Sequence, residues 1–334
     1  MGRETENRKF DLSKLRSGTS VTHRNLIFVI TLCIAFVATG THSAWAQYVF
    51  RSIDVPGAAQ TVVNDNNNDD VFPVCYSITS FDYDFGGQAG SLLSHGVFKP
   101  LSYPGGTGTC PEGVSGNGKV VGSYEDKSGN VHGFLLVGTK YTSFDYPGAA
   151  ETVGYGVNNS GTIVGFYYDG TAYHGFKLKG GVFTNIDPPG AASSEAEAIN
   201  DKEQVAGGYS LTDKKFNSDL QAYVLSGGSY TTINYPGATG TVAGGINNSA
   251  DTAGWYFDSS GVTHGFTDIS GTLSTLDYPG AADTEAFEIN DSGQVDGNWN
   301  SSTLSDEHGF LATPPNGLNT PGGESRDRRS SPHR

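Results

Sequence analysis

Carboxylate and aromatic side chains recur at matching places along this chain of 334 residues. Glutamates follow closely after several Pro-Gly steps, and a tyrosine or tryptophan stands further along the same stretches. An aromatic face beside a carboxylate suits a sugar ring or a cationic group, because the π cloud attracts positive charge and the ring packs against C–H groups. The predicted ligand-binding residues are Tyr83, Glu151, Tyr168, Glu195, Trp255, Glu285 and Trp299.

Histidine is the second residue type that could bind a metal or take part in catalysis, and it recurs within one motif. His-Gly-Phe begins at His132, His174, His264 and His308, and the looser His-Gly-Val-Phe begins at His95. A ring of imidazoles would suit a metal, but equivalent residues of a repeated array lie far apart unless they face its axis. We therefore predict a structural role for all five, with each imidazole hydrogen-bonded to a neighbouring strand or turn.

No catalytic motif is evident in the sequence. It contains no Gly-x-Ser-x-Gly elbow, no His-Glu-x-x-His zinc motif and no phosphate-binding loop. Pairs of Asp or Glu on separate repeats would escape a search for motifs, so glycoside chemistry stays open as an alternative. We predict no catalytic residue.

One acidic stretch has oxygen ligands dense enough to suggest calcium. Residues 64–70 read Asn-Asp-Asn-Asn-Asn-Asp-Asp, and hard oxygen ligands are those that calcium prefers. The candidate ligands are Asp65, Asp69 and Asp70, although a solvated turn is the interpretation that we favour. The other Asn-rich turns, such as Asn158-Asn159, are explained by the positive φ angles of tight hairpins.

These residues are set in a repeat whose period predicts the fold. The Pro-Gly steps begin at six prolines separated by 42 to 48 residues, and periods of this size mark propellers, solenoids or arrays. The prolines are Pro56, Pro104, Pro147, Pro189, Pro236 and Pro279. The clearest repeat contains four segments rich in β-branched and aromatic residues, which we predict as strands. They are Thr152–Val157, Thr162–Tyr168, a strand around His174–Phe176, and Val182–Asp187.

The order of the strands at the two ends favours a closed ring. The segment Tyr48-Val-Phe-Arg-Ser-Ile-Asp54 resembles a lone fourth strand, and the last repeat stops after its third strand at Leu311. An N-terminal strand that completes the last blade would remove the open sheet edges. We predict an all-β protein, a six-bladed β-propeller of four-stranded antiparallel blades closed by the N-terminal strand. A linear solenoid is the alternative.

The repeat also resembles a known family. Segments of the form Ile/Val-Asn-Asn/Asp-x-Gly-x-Ile/Val-Val-Gly, followed by His-Gly-Phe, are similar to the probable extracellular repeats of the HAF family. Here glycine replaces the alanine of the His-Ala-Phe motif, and the fourth repeat departs most, with Gln221-Ala-Tyr223. The resemblance covers nearly all of residues 48–311 and implies export and a repeat fold. It supplies no catalytic residues.

Both ends are predicted to lie outside the repeat domain. Residues 1–46 combine basic residues, an apolar run and the sequence Ala44-Trp45-Ala46, which is typical of a cleaved signal peptide. Residues 313–334 are rich in Pro, Gly, Ser and Arg and are predicted to be a disordered basic tail. The mature protein, whose domain spans residues 47–312, is thus predicted to be secreted, extracellular or periplasmic, without a membrane span.

Charge and cysteine content constrain the partners. Residues 47–312 contain 10 Lys or Arg and 30 Asp or Glu, a net charge of −20, which argues against nucleic acid. Cys75 and Cys110 remain after signal removal, and a disulfide and two buried thiols are both compatible with the sequence.

Variation among the connections suggests how the protein works. The loops between second and third strands differ in length, whereas the turns on the opposite face are nearly constant, a pattern typical of a binding surface on a scaffold. We therefore predict a monomeric, noncatalytic binding or scaffold module for an extracellular glycan or protein. The alternatives are a secreted carbohydrate-active hydrolase or lyase with carboxylates near the channel, and a structural envelope or matrix repeat protein.

Overall fold

The computed structural model describes residues 48–78, 88–301 and 306–315, and these form a six-bladed β-propeller. Each blade is a four-stranded antiparallel sheet, so the predicted fold is confirmed. Within these ranges no residue is helical, and no helix could therefore span a membrane. The predicted signal peptide and most of the predicted tail lie outside the described residues.

The chain enters through the outer strand of the last blade and then builds the ring in order. The first strand is β1 (Val49–Ile53). Blade 1 contains β2 (Gln60–Val63), β3 (Val71–Ser77), β4 (Ala89–Ser94) and β5 (Val97–Leu101). Blade 2 contains β6 (Gly108–Val114), β7 (Val120–Glu125), β8 (Val131–Val137) and β9 (Lys140–Phe144). Blade 3 contains β10 (Glu151–Val157), β11 (Ile163–Tyr168), β12 (Tyr173–Lys179) and β13 (Val182–Asn185).

The remaining blades repeat this order from the inner strand to the outer strand. Blade 4 contains β14 (Ser193–Ile199), β15 (Val205–Ser210), β16 (Leu220–Ser226) and β17 (Ser229–Ile233). Blade 5 contains β18 (Gly240–Ile246), β19 (Thr252–Phe257), β20 (Thr263–Ile269) and β21 (Thr272–Thr275). Blade 6 contains β22 (Asp283–Ile289), β23 (Val295–Asn300), β24 (His308–Thr313) and β1.

The N-terminal strand closes the ring, as the sequence predicted. β1 pairs with β24 in antiparallel register from Val49 opposite Thr313 to Ile53 opposite Gly309. The Phe50 ring lies 5.6 Å from that of Phe310, which is fully buried. The last blade thus contains strands from both ends of the domain, and the outer edge of its third strand, β24, is paired.

The antiparallel order places the connections on two opposite faces. We call the face with the outer-to-inner loops and the second-to-third loops the loop face. The other face, with the inner-to-second turns and the third-to-outer turns, is called the turn face. Each inner strand runs from the loop face to the turn face along the central channel, so residues early in an inner strand lie near the loop face.

The His-Gly-Phe motif builds the packing between blades. Its phenylalanines in β8, β12, β20 and β24 are fully buried, and Tyr223 holds the same position in blade 4. The glycine before the ring permits close packing, against the neighbouring blade at Gly175 and Gly309 and against Phe144 of the same blade at Gly133. A Cβ on Gly309, for example, would lie 2.4 Å from the Val63 side chain of blade 1.

The glycine of the Val-Val-Gly segment, which lies in the second strand, is required for a different reason. In blade 3 the pairing between β10 and β11 shifts between Gly154 and Gly156, which marks a β-bulge in the inner strand. Gly165 lies opposite the bulge, and a Cβ there would lie 2.0 Å from the Val153 carbonyl oxygen. The same close approach occurs at Gly122, Gly207, Gly254 and Gly297.

One predicted strand is shorter than expected. The outer strand of blade 3 ends at Asn185 and not at Asp187. The Asp187 side chain instead accepts hydrogen bonds from Gly175 N and His174 Nδ1, which ties the following loop to the third strand.

Candidate functional site

The two faces differ in their connections, as predicted. The second-to-third loop has nine residues in blade 4 (211–219), four in blade 3 (169–172) and five in blade 5 (258–262). The corresponding loops of blades 1 and 6 extend into residues that the structure does not describe. On the turn face, the inner-to-second turns of blades 2 to 6 all span five residues, as at 158–162.

On the turn face, asparagine side chains connect neighbouring blades in an inner row. Asn158 Oδ1 closes its own turn by accepting from Thr162 N, and Asn158 Nδ2 donates to Asn200 O of the next blade. The side chain at the equivalent position donates to the next blade's backbone in the same way at four other junctions. These pairs are Asn200–Asn247, Asn247–Asn290, Asn290–Asn67 and Asn67–Ser115.

The residues that directly follow these asparagines in the chain form an outer row of side chains. Asn159 N and Nδ2 donate to the Asp201 carboxylate, and Asn248 makes the same pair of bonds to Asp291. The prediction that these asparagines supply positive φ angles is wrong, because in blade 3 the positive φ lies at Gly161 and not at Asn158 or Asn159. The asparagines instead close the turns and link the blades through their side-chain hydrogen bonds.

On the loop face, one pair of predicted ligand residues is brought together. Glu151 and Tyr168 face each other as register partners on β10 and β11. The long loop of blade 4 reaches across to them, because Lys215 Nζ donates to Tyr168 Oη at 2.6 Å and lies 4.4 Å from the centre of its ring. The Tyr168 ring therefore already contacts a cation from its own chain.

The predicted tryptophans take part in packing. Trp299 stacks on Tyr278 at 4.3 Å and on His308 at 4.6 Å, and its Nε1 is buried without a hydrogen-bond partner. Trp255 makes an edge contact with Phe287 of blade 6 at 5.6 Å. Tyr83 lies outside the described residues.

The predicted glutamates lie on inner strands beside the channel. Glu195 is 6% exposed on β14, and Glu285 is half-buried on β22. Burial raises the pKa of Glu285 to about 8, and repulsion from Glu307 and Asp283 adds to this. A cation at this end of the channel would favour the ionised form of Glu285.

Two channel acids are not among the predicted ligand-binding residues. Glu112 and Glu197 stand at the bulge position of their inner strands, in blades 2 and 4. Burial raises the pKa of Glu112 to about 8, and burial with repulsion from Glu195 and Glu112 raises that of Glu197 well above its usual range. Tyr155 and Phe287 occupy the same position in other repeats. The signal was therefore an acid where related repeats carry an aromatic ring.

None of Glu112, Glu197 and Glu285 forms an ion pair with Lys, Arg or His within the described ranges. The three together make the channel an acidic surface without an observed internal counter-charge.

Four of the five motif histidines share one arrangement. In each, imidazole Nδ1 donates to an aspartate just before the Pro-Gly loop at 2.7 to 2.9 Å. Each imidazole also stacks on an aromatic ring of the second strand, which stacks on a tyrosine of the loop. The sets are Asp145–His132–Tyr124–Tyr103, Asp187–His174–Tyr167–Tyr146, Asp277–His264–Tyr256–Tyr235 and Asp54–His308–Trp299–Tyr278.

His95 does not belong to this set, which corrects the alignment made from the sequence. It lies in the two-residue turn between β4 and β5 with φ of 50°, and its Nδ1 is bonded to Ser94 Oγ. The residues of blade 1 in the place of His-Gly-Phe are Ala89-Gly90-Ser91, because Gly90 pairs with Leu101 as Gly133 pairs with Phe144.

The cysteines form a disulfide that joins blade 1 to blade 2. Cys75 lies on β3 and Cys110 on β6, and both are buried. The carboxylate of Glu112 lies within 4.8 Å of both sulfur atoms.

The three residues predicted as calcium ligands are separated in the structure. Asp65 is half-buried and its Oδ2 accepts from Val114 N at 2.6 Å, whereas Asp69 and Asp70 are exposed. Calcium at these three residues stays a prediction.

Comparison with known proteins supports the fold. No family model and no curated protein match the chain. TolB from Acinetobacter baumannii is 12% identical, with a TM-score of 0.50 over 73% of this chain and 64% of that protein. A putative TolB from Agrobacterium tumefaciens is 13% identical, with a TM-score of 0.50 over 75% of this chain and 89% of that one.

A lectin from Burkholderia pseudomallei is 11% identical, with a TM-score of 0.45 over 79% of this chain and 85% of the lectin. This chain covers 64% of the Acinetobacter TolB, which is less than two thirds of that protein's length. At such identities the likeness concerns the propeller fold alone.

Proposed function

We propose that this protein is a noncatalytic binding module that engages an extracellular glycan or protein through its loop face. The difference between the two faces carries the proposal. The turn face is held by hydrogen bonds from blade to blade, whereas the second-to-third loops of the loop face range from four residues in blade 3 to nine in blade 4. A rigid scaffold that varies on one face is the usual design of a binding surface.

The charges near the channel indicate which chemical groups this surface would attract. Glu285 lies beside Asp283 and Glu307 at the loop-face end, and Glu112 and Glu197 lie deeper along the inner strands. Carboxylates that burial keeps largely neutral gain a favourable ionised form when a cationic group approaches. We therefore propose a ligand with amino or guanidinium groups, either a glycan with amino sugars or a basic protein segment.

Export belongs to the same proposal. The signal-like residues 1–46 and the resemblance to HAF repeats both support it. The disulfide between blades 1 and 2 supports an oxidising compartment, where such bonds persist.

A glycan array that includes amino sugars, followed by titration of each hit, tests this function. Glu285→Gln should weaken binding at least about tenfold with little loss of stability, because glutamine has the shape of the neutral acid but cannot ionise. Wild-type affinity should rise with pH through about 8, the pKa of Glu285. The matched control is Lys140→Ala, an exposed residue by the turn face.

A hit whose affinity depends neither on pH nor on Glu285 would contradict the loop-face site. If the array is blank, the same two variants should be compared for binding to lysine- and arginine-rich peptides. No binding in either format would contradict the proposal.

A second candidate function is carbohydrate hydrolysis or lysis, and the cluster of Glu112, Glu195 and Glu197 favours it. A general acid needs a raised pKa, which Glu112 has, beside a second carboxylate. The test is release of reducing ends from any bound polysaccharide, which Glu112→Gln or Glu197→Gln should abolish while binding persists. Binding without turnover would exclude this candidate for that sugar.

A further inference from the structure

We propose that a calcium ion binds where blade 6 meets blade 1, through oxygens of Asp65, Asn66, Glu288 and Asp296. This inference is independent of the loop-face ligand, because these residues lie toward the turn face. It also differs from a site in the exposed turn at Asp69 and Asp70.

The first argument is that acids replace small residues at this junction. The inner-strand residue two positions before the turn asparagine or serine is Gly or Ala in four blades. Those residues are Gly113, Gly156, Ala198 and Gly245. In blades 1 and 6 the same position holds Asp65 and Glu288. A repeat that breaks its own pattern twice, at adjoining blades, indicates a requirement that the repeat itself does not impose.

Two further substitutions converge on the same place. Asn66 occupies a position that is Val or Ile in the other five blades, at Val114, Val157, Ile199, Ile246 and Ile289. Asp296 precedes the second-strand glycine, where the related blades have Val121, Val164, Ala206 and Ala253. Placing polar and ionisable groups at buried positions is costly unless they have partners.

Contacts within the cluster leave two buried oxygens without a donor. Asn66 Nδ2 donates to Asp296 Oδ2 at 2.5 Å. Asn66 is 4% exposed and Asp296 is 0% exposed, yet Asn66 Oδ1 and Asp296 Oδ1 have no hydrogen-bond partner. Asn66 Oδ1 is an acceptor only, and Asp296 Oδ1 is an acceptor only when the carboxyl is ionised, so in that state each needs a donor or a cation.

The other two acids have oxygens anchored to backbone amides. Glu288 Oε1 accepts from Ile246 N and Ile289 N, both at 2.9 Å, and Asp65 Oδ2 accepts from Val114 N. These bonds hold the Glu288 carboxylate against blade 5 and the Asp65 carboxylate against blade 2. Asp65, Asn66 and Glu288 also line an open depression at the centre of the turn face, which provides access for an ion.

The charge at the junction is unbalanced. In the described part of the chain no Lys, Arg or His forms an ion pair with Asp65, Glu288 or Asp296. Burial raises the pKa of Asp65 to about 7, and burial with mutual repulsion raises those of Glu288 and Asp296. A divalent cation would remove that repulsion.

The ligand set selects the kind of cation. Three carboxylates and one amide oxygen are hard ligands, which suit calcium and lack the nitrogen or sulfur that zinc prefers. Among the described residues, only Cys75, Cys110 and Glu112 have ligand atoms that all lie within 4.8 Å of one another, so Asp65, Glu288 and Asp296 must move closer together to share one ion. We therefore expect calcium to draw blades 6 and 1 together, and so to stabilise the junction at which the ring closes.

The test uses the purified full chain, freed of metal with a chelator and titrated with calcium chloride by calorimetry. We expect a Kd of about 10⁻⁴ to 10⁻³ M, the range of extracellular calcium modules. At about 100-fold excess over Kd, the melting temperature should rise by roughly 5 to 10 °C. Magnesium should give a smaller rise, because it demands a stricter geometry.

Asp296→Val and Glu288→Gly restore residues of the repeat and separate loss of the site from loss of the fold. Each variant loses hydrogen bonds that the wild-type acid accepts, so each melting temperature with calcium is compared with that of the same variant without calcium. Both variants should lose the calcium response. The controls are Glu112→Gln, at a channel acid of blade 2, and Asp69→Asn, in the exposed turn. Both controls should keep the calcium response.

Two results would overturn the proposal. One is the absence of both heat and a melting shift when wild type is titrated with calcium. The other is a calcium response that survives in Asp296→Val, or that disappears in Asp69→Asn, since either would place the ion elsewhere.

Discussion

At the scale of single residues, the His-Gly-Phe histidines act through hydrogen bonds and stacking. His174 Nδ1 donates to Asp187 at 2.9 Å, and its Nε2 lies 3.5 Å from Asp169, so it connects the loop before blade 4 to the second-to-third loop of its own blade. The Tyr167 ring stacks on it at 5.1 Å. The motif histidine and the Asp before the next Pro-Gly step, 13 residues further along the chain, are thereby explained by one contact.

Replacing His174 should test that role. We expect His174→Ala to lower the free energy of unfolding by about 1 to 2 kcal/mol, the cost of losing a partly buried hydrogen bond to a charged group. His174→Gln should cost less, because glutamine occupies the equivalent position in blade 4 at Gln221. Chemical denaturation of wild type, His174→Ala and His174→Gln measures the three free energies of unfolding.

The matched control is His95→Asn, in the β4–β5 turn. Asparagine tolerates the positive φ of 50° at that position, so stability should stay within about 0.5 kcal/mol of wild type. Equal losses at both positions would argue against a special role for the motif histidine.

At the scale of elements, blades 2 to 6 each have a bulged inner strand that lies close to the second strand. The bulge places Gly165 of β11 against the Val153 carbonyl oxygen of β10. The second-strand glycine is thus required by the close approach of two backbones. Its conformational freedom is not the reason.

We expect Gly165→Ala to destabilise the protein by about 3 kcal/mol or more, because its Cβ would lie 2.0 Å from a backbone oxygen that cannot move alone. Gly240→Ala is the control. That glycine begins β18, where the related inner strands begin with Glu151 and Asp283, and the nearest atom to its Cβ belongs to the Phe257 side chain at 3.1 Å. A thermal melt in which both variants lose similar stability would contradict this explanation.

At the scale of the whole molecule, the ring concentrates acids along one axis. Glu112 and Glu285 come from blades 2 and 6, yet burial raises the pKa of each to about 8 from an ordinary value of 4.5. A folded-state pKa above the unfolded value means that the neutral acid stabilises the fold. That contribution is complete below about pH 4.5 and is lost as pH rises through 8.

The protein should therefore melt at lower temperature as pH increases from 6 to 9 with a chelator present, by roughly 5 °C. Glu112→Gln should flatten part of this slope, because glutamine cannot ionise. Calorimetry from pH 6 to 9 measures the melting temperature. Lys140→Ala is a surface variant whose melting temperature should change with pH as that of wild type does. A profile that is flat or that rises with pH would contradict the burial of these acids.

The sequence by itself determined the architecture. The period of the Pro-Gly steps, the alternation of strands and turns, and the position of a lone strand at Tyr48 predicted six blades and their closure, because each blade is built from residues adjacent in the chain. The strand positions were predicted for the same reason, except where Asp187 leaves its strand to bond with His174.

The tertiary structure alone decided which residues meet across blades. Glu112 and Glu197 are 85 positions apart in the sequence, and Asp65 and Asp296 are 231 positions apart, yet each pair interacts. His95 shows the reverse case, since a segment that resembles the motif locally lies in a turn. A repeat specifies its own blade through local pattern, whereas contacts at the axis and at ring closure depend on how many blades complete the circle.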